Sequence, residues 1–176
     1  MSDYKAVFYR ASTPDAEYLG AILTTLTQNL RADVIQPVLK KHNLEDIQPD
    51  KWYPQQPILD VLREIEQHYT FEELVAIGMK VMEVAPLPPN IHDIETALDT
   101  FDAGHHTTTR NIHPEESIKV EKLSPTHIRV ISNVPTPAFL AYGTIWGFVR
   151  RFKKKHQNPT IHLTRKEMPY IIEVKW

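Results

Sequence analysis

The sequence predicts an α+β fold in a single domain, residues 1–176. A helical half at about residues 13–104 comes first, followed by a β-β-α-β-β sheet half at about residues 117–176. Three observations carry this reading. Between residues 18 and 101 apolar side chains recur three and four positions apart, the period of a helix face. After residue 117 they alternate loosely with polar ones, as on a half-buried strand. Between the two strand pairs lies one apolar run, residues 138–149, interrupted by Thr144. Helices followed by strands of this kind fold as a helical layer beside a four-stranded antiparallel sheet, here with one helix laid across it.

Taken in order, residues 4–10 (YKAVFYR) place β-favouring side chains on a period of two and are expected as a short strand. Thr13-Pro14-Asp15 has the form of a helix start, a cap residue followed by proline at the first helical position. Tyr18, Ile22, Leu23, Leu26 and Leu30 follow at helical spacing. A second helix is expected over 33–42, with Val34, Ile35, Val38 and Leu39 on its apolar side. Pro54 and Pro57 open a third, whose core positions are Ile58, Val61, Leu62 and Ile65. The stretch from Thr70 to Glu73 matches the reciprocal capping pattern S/T-x-x-E and starts a fourth helix bearing Leu74, Val75, Met79 and Met82. Residues 85–90 (APLPPN) must break it, because proline removes a donor and clashes with the preceding turn. Asn90 is then expected to cap a fifth helix with Ile91, Ile94, Leu98 and Phe101 on one face, ended by Gly104. Strands at 118–123 and 128–130 flank the turn Ser124-Pro125-Thr126. Thr136-Pro137 opens the apolar helix and Asn158-Pro159 ends it. Strands at 160–164 and 170–176 complete the order, with Tyr170, Ile172, Val174 and Trp176 on one face.

Composition excludes several function classes. With no cysteine there is no disulfide, thiolate metal site or cysteine nucleophile. The apolar run of 138–149 is too short to span a bilayer, which needs about 20 residues. The opening MSDYKAVFYRAS lacks the layout of a secretory signal, so a cytoplasmic location without membrane insertion is expected. No Gly-x-Ser-x-Gly elbow and no phosphate-cradling glycine loop occurs, and an enzyme is not expected. The net charge of −2 hides an asymmetry. Residues 45–102 hold thirteen acids against three bases, a local −10, and residues 148–176 hold eight bases against two acids, a local +6. Attraction between the two ends of the fold is the expectation. The cluster Arg150, Arg151, Lys153, Lys154 and Lys155 falls at a helix end, where the dipole favours cations. Nucleic acid is not expected as a partner.

The most chemical-looking stretch is DAGHHTTTRNIH, residues 102–113, with three of the nine histidines. If Gly104 ends a helix, His105 and His106 sit near its C-terminus and the rest is a linker between the halves. The alternative is a divalent-metal site of His113 with His105 or His106 and a carboxylate from Glu115 or Glu116. Gly143-x-x-x-Gly147 leaves a smooth strip on the apolar helix, for packing on the domain's own sheet or as the seam of a homodimer.

Three stretches carry a family resemblance. Residues 52–65 (WYPQQPILDVLREI), residues 91–106 (IHDIETALDTFDAGHH) and residues 130–152 (VISNVPTPAFLAYGTIWGFVRRF) are similar in order and character to elements of the haem-nitric-oxide-binding (H-NOX) superfamily. That superfamily includes vinyl-reductase-like sensor domains and trafficking-particle subunits. The resemblance implies a non-catalytic sensory or small-ligand-binding domain that dimerises with itself. It also implies a pocket between the buried helix and the helical half, lined by Trp52, Tyr53, Phe101, Phe139, Tyr142, Thr144 and Trp146 and suited to a small hydrophobic ligand. The haem branch requires an axial histidine, His105 or His106 here, and a Tyr-x-Ser-x-Arg motif that holds the haem propionates. The nominal match, Tyr142-Gly143-Thr144-Ile145-Trp146, lacks the arginine and falls inside the apolar helix. No cofactor is expected, with haem or a divalent metal as the alternative. A purely structural dimerisation module is the remaining reading.

Overall fold

The computed structural model describes residues 4–84 and 89–176. Two sheets and seven helices stand in the order β1 (Glu17–Leu19), α1 (Ala21–Thr27), α2 (Ala32–Lys41), β2 (Trp52–Pro54), α3 (Gln55–Glu66), α4 (Phe71–Val84), α5 (Ile94–Asp99), α6 (Phe101–Thr108), β3 (Thr109–Arg110), β4 (Ile118–Ser124), β5 (His127–Ser132), α7 (Ala138–Phe152), β6 (Thr160–Arg165) and β7 (Tyr170–Lys175). The second half is the expected β-β-α-β-β unit, and its four strands form an antiparallel sheet in the order β4-β5-β7-β6. The fold class is α+β.

The large sheet and the helices bury their apolar faces in two cores that share α7. Ile128 and Val130 of β5 lie beside Val174 and Ile172 of β7, all buried, as period-two alternation requires. With Ile145 and Val149 of α7 and Ile94 and Leu98 of α5 they form the sheet-side core. The helical core gathers Leu23, Leu26, Ile35, Leu39, Ile58, Leu62, Ile65 and Leu74, and α7 contributes Phe139 to it. The Thr70–Glu73 box forms as read: Thr70 N–H donates to Glu73 Oε2 at 2.7 Å and Glu73 N–H to Thr70 Oγ1 at 3.3 Å. No helix among the described residues is long and apolar enough to cross a membrane.

Four expectations are corrected. Residues 4–10 are not a strand but an irregular strap, with Tyr9 at φ 60°. Its alternation is satisfied without a ladder, because Ala6 is buried, Phe8 packs on Tyr170 (ring centroids 6.0 Å apart) and Tyr9 packs on the helical core. Side-chain amides and a loop carbonyl take its backbone donors, as described below. Residues 13–15 begin no helix; β1 follows, and the helix starts only at Ala21. The fifth helix is capped by Asp93, not Asn90. The Asp93 carboxylate accepts the Thr96 N–H at 2.8 Å, and that hydrogen bond, then the Thr96 hydroxyl, holds it below its usual range. Gly104 ends nothing: it lies inside α6, at negative φ, and the helix runs on to Thr108. Of the expected break at 85–90, residues 85–88 lie outside the described residues and Pro89 and Asn90 form a turn.

A second, three-stranded sheet (β2-β1-β3) has no counterpart among the expectations. In it Glu17 lies opposite Pro54 on one side and Arg110 on the other. The start of α3 and the end of α6, about fifty residues apart in sequence, are thereby fixed to one short strand. Arg110 reinforces the tie, pairing with Glu17 and lying 4.6 Å over the Trp52 ring.

Candidate functional site

At the junction made by the small sheet, polar side chains meet in the interior. Gln55 begins α3, its N–H donating to Ala16 O at 2.8 Å. It stands three positions before Ile58 and seven before Leu62, so it falls on the buried stripe and is 0% exposed. A buried amide must find partners. Its Oε1 accepts the Ser12 N–H at 2.8 Å, and its Nε2 donates to Glu116 Oε1 at 3.2 Å. Glu116, in the loop after β3, is also 0% exposed. From the other side the last turn of α6 presents His105, whose Nε2 lies 3.1 Å from the same Glu116 oxygen. The contact is close but misaligned: neither His105 Nε2 nor Glu116 Oε2 has a hydrogen-bond partner among the described residues.

Two phenols flank the pair. Burial first and the Glu116 charge second push the Tyr18 hydroxyl well above its usual range, and it has no hydrogen-bond partner among the described residues. Tyr4 is raised by the same two causes, with Ser12 opposing. Both therefore remain protonated near neutral pH. The strap, residues 4–13, closes over this cluster. Asn133 accepts the Ala6 N–H at 2.9 Å, Pro135 O the Tyr9 N–H at 2.9 Å and Gln56 the Ala11 N–H at 2.9 Å. The Tyr4 ring stacks on His113 at 3.8 Å, and Ser12 Oγ accepts the His113 N–H at 3.2 Å. Outside it lies a surface cleft of about 540 Å³, lined by strap residues and Gln56.

A histidine–carboxylate pair is the raw material of general acid–base catalysis, but a working pair must reach its substrate. Here the two side chains are 8% and 0% exposed, and the cleft is lined by neither. The surroundings of His105 do not fit haem as they stand: the Nε2 that would bind iron lies 3.1 Å from the Glu116 carboxylate, which is 0% exposed and also accepts the Gln55 amide.

The expected site residues are scattered. His105 points inward to Glu116, and His106 points outward, 3.6 Å from Asp102. His113 stacks on Tyr4 and accepts the Glu115 N–H. Among the described residues no three histidine, aspartate or glutamate side chains are placed to hold a metal ion. The seven aromatic and hydroxyl residues do not surround one cavity. Trp52 lies under Arg110, and Tyr53 accepts the Gln48 N–H at 2.8 Å. Phe139 is in the helical core, whereas Tyr142 and Trp146 pack on the sheet side. Phe101 lies tilted against Phe148, ring centroids 5.2 Å apart, and the Thr144 hydroxyl is spent on Leu140 O within its own helix. The glycine strip is not open for a second copy: a Cβ on Gly143 would come within 2.6 Å of Val75 O, and one on Gly147 within 2.5 Å of Met82 Cβ. It packs α7 against α4 of the same chain. Gln55 escaped the sequence reading, although an amide on an otherwise apolar helix stripe was its signal.

No family model matches the sequence, and no curated protein matches it. Solved structures do. A structure from work on haem distortion in the H-NOX family aligns with a TM-score of 0.67 at 17% identity, over 90% of this chain and 94% of that one. An oxygen-binding H-NOX domain related to soluble guanylate cyclases, in its oxygen complex, aligns at 0.66 with 18% identity, over 89% and 94%. A variant of the T. tengcongensis H-NOX domain aligns at 0.64 with 15% identity, again over 89% and 94%. At such identities the likeness speaks for architecture alone, and the architecture of this chain is the H-NOX fold.

Proposed function

We propose that this chain is a non-catalytic sensory module that uses the H-NOX fold to bind a small ligand without haem. One observation carries the reading: the histidine of α6 is committed to a buried carboxylate that also holds the N-terminal strap through Gln55 and Ser12. Buried charged groups stabilise poorly for what they cost in desolvation. A node of them joining a helix, a loop and a strap is better suited to registering a change than to holding a core. The ligand acts on the strap side, where the cleft is.

The test is a hemin titration of the purified protein followed by absorption spectroscopy. The expected result is the spectrum of free hemin, unchanged by His105→Ala. A sharp Soret band that His105→Ala abolishes would overturn the proposal. It would support the second reading, a haem-dependent gas or redox sensor, which the position of His105 on a helix of an H-NOX fold favours.

A further inference from the structure

We infer that the surface cleft along the strap is a binding site for a small organic anion, a carboxylate or phosphate carried on an apolar body. The inference rests on the reading of the chain as a ligand-binding module and adds the chemical class of the ligand. About 540 Å³ lies within the range of small-molecule sites. Its charge is one-sided: Lys5 and Arg10 line it, and among the described residues no acid does. Neither cation has an ion-pair partner among the described residues. Acids of the neighbouring helix are already engaged. Asp60 takes Arg63 at 2.9 Å and the Gln56 amide at 3.1 Å, and Glu66 takes the Tyr9 hydroxyl. Gln56 is in the first turn of α3, a twelve-residue helix, so the positive end of its dipole faces the same space.

The cleft also has an apolar side. Val7 is 55% exposed, one of the few large apolar side chains left in water, and it lines the cleft together with Tyr4. A guanidinium grips carboxylates and phosphates two-pronged, an ammonium adds a point charge, and an apolar body would cover Val7. Ser12 connects the site to the interior, because its N–H is held by the same Gln55 that holds Glu116. A ligand that draws Arg10 and Lys5 together shifts the strap between them, and Ser12 carries that shift to Gln55.

The experiment is a titration of the full chain, labelled with nitrogen-15, by benzoate and phenyl phosphate. Benzyl alcohol serves as the neutral counterpart. Both anions are expected to give saturable shifts at Ser12 and Thr13 and at the side-chain amides of Gln55 and Gln56, and benzyl alcohol none. Lys5→Gln with Arg10→Gln should weaken the anions at least about tenfold. Lys153→Gln with Lys155→Gln, which removes the same charge from the far end of α7, should leave affinity unchanged. Shifts without saturation up to about 10 mM, equal binding of benzyl alcohol, or full affinity in the Lys5/Arg10 variant would each overturn the inference. Hemin is silent on this outcome. A haem spectrum would remove the haem-free reading and leave the cleft result standing, whereas a failed anion titration with inert hemin removes this inference alone.

Discussion

Two buried junctions of this molecule solve the same problem in opposite ways. Where α4 meets α7, glycines at 78, 143 and 147 bring the backbones so close that a Cβ on Gly78 would lie 3.0 Å from Gly143 Cα. The contact between the backbones is dispersion and excluded water, with a hydrogen bond from Arg151 to Met82 O at 3.0 Å at its exposed end. Where α6 meets the strap and α3, an imidazole, a carboxylate and an amide take the interior positions. The first junction is optimised for stability. The second leaves His105 Nε2 and Glu116 Oε2 without hydrogen bonds among the described residues. On the proposed reading, the seam is the scaffold and the polar node is the part that responds.

Breaking the polar node gives the largest expected effect. Glu116→Ala leaves the Gln55 amide buried without its acceptor and the His105 imidazole without the carboxylate 3.1 Å away, and should cost about 3–5 kcal/mol in urea denaturation at neutral pH. Glu116→Gln keeps an acceptor and the volume, and should cost no more than about 1.5 kcal/mol. A loss below about 1 kcal/mol for Glu116→Ala would mean that the node is not a buried junction at all. Next comes the seam. Gly143→Ala sets a methyl group 2.6 Å from Val75 O, a backbone atom that cannot turn aside. Pushing α4 off α7 should cost about 1–3 kcal/mol and lower Tm accordingly. An unchanged or raised Tm would show that the two helices adjust freely and that the contrast is overdrawn.

The same contrast marks what the sequence made legible. The sheet half was readable almost strand by strand, since Ile128, Val130, Tyr170, Ile172 and Val174 alternate and each ends up buried. The helical face of α3 and the Thr70–Glu73 box were equally plain, because both are local patterns. What stayed hidden depends on contacts between distant segments. The strap reads as a strand because its side chains alternate, but its donors go to Asn133, Gln55 and Gln56, which no local pattern announces. The histidine cluster was visible, and Glu116 was among the carboxylates expected beside it as a metal ligand, but that His105 and Glu116 meet as a buried pair depends on how the loop after β3 folds back onto α6. The glycine pair at 143 and 147 was visible, yet which surface it meets depends on where α4 lies. The expected aromatic pocket drew on chemical type alone, and the fold spreads those residues over two cores.

The smallest effect sharpens the comparison most, because its sign reverses. Gly104 is also a helical glycine, but a Cβ built on it meets nothing within 4 Å, and its φ is negative. With no steric cost to set against it, alanine should act through the unfolded chain and through helix propensity alone. Gly104→Ala is therefore expected to stabilise by about 0.5–1 kcal/mol, read as a rise in Tm. Since α6 carries His105, the variant also asks whether the responsive junction is limited by its own helix. If Tm rises while the anion titration is unchanged, α6 is already formed before ligand arrives and the response lies in the strap. A rise in Tm with weakened anion binding would place the response in α6, as a last turn that must loosen for the strap to move. A fall in Tm would contradict the open surroundings of Gly104 and, with them, the contrast between the two glycines.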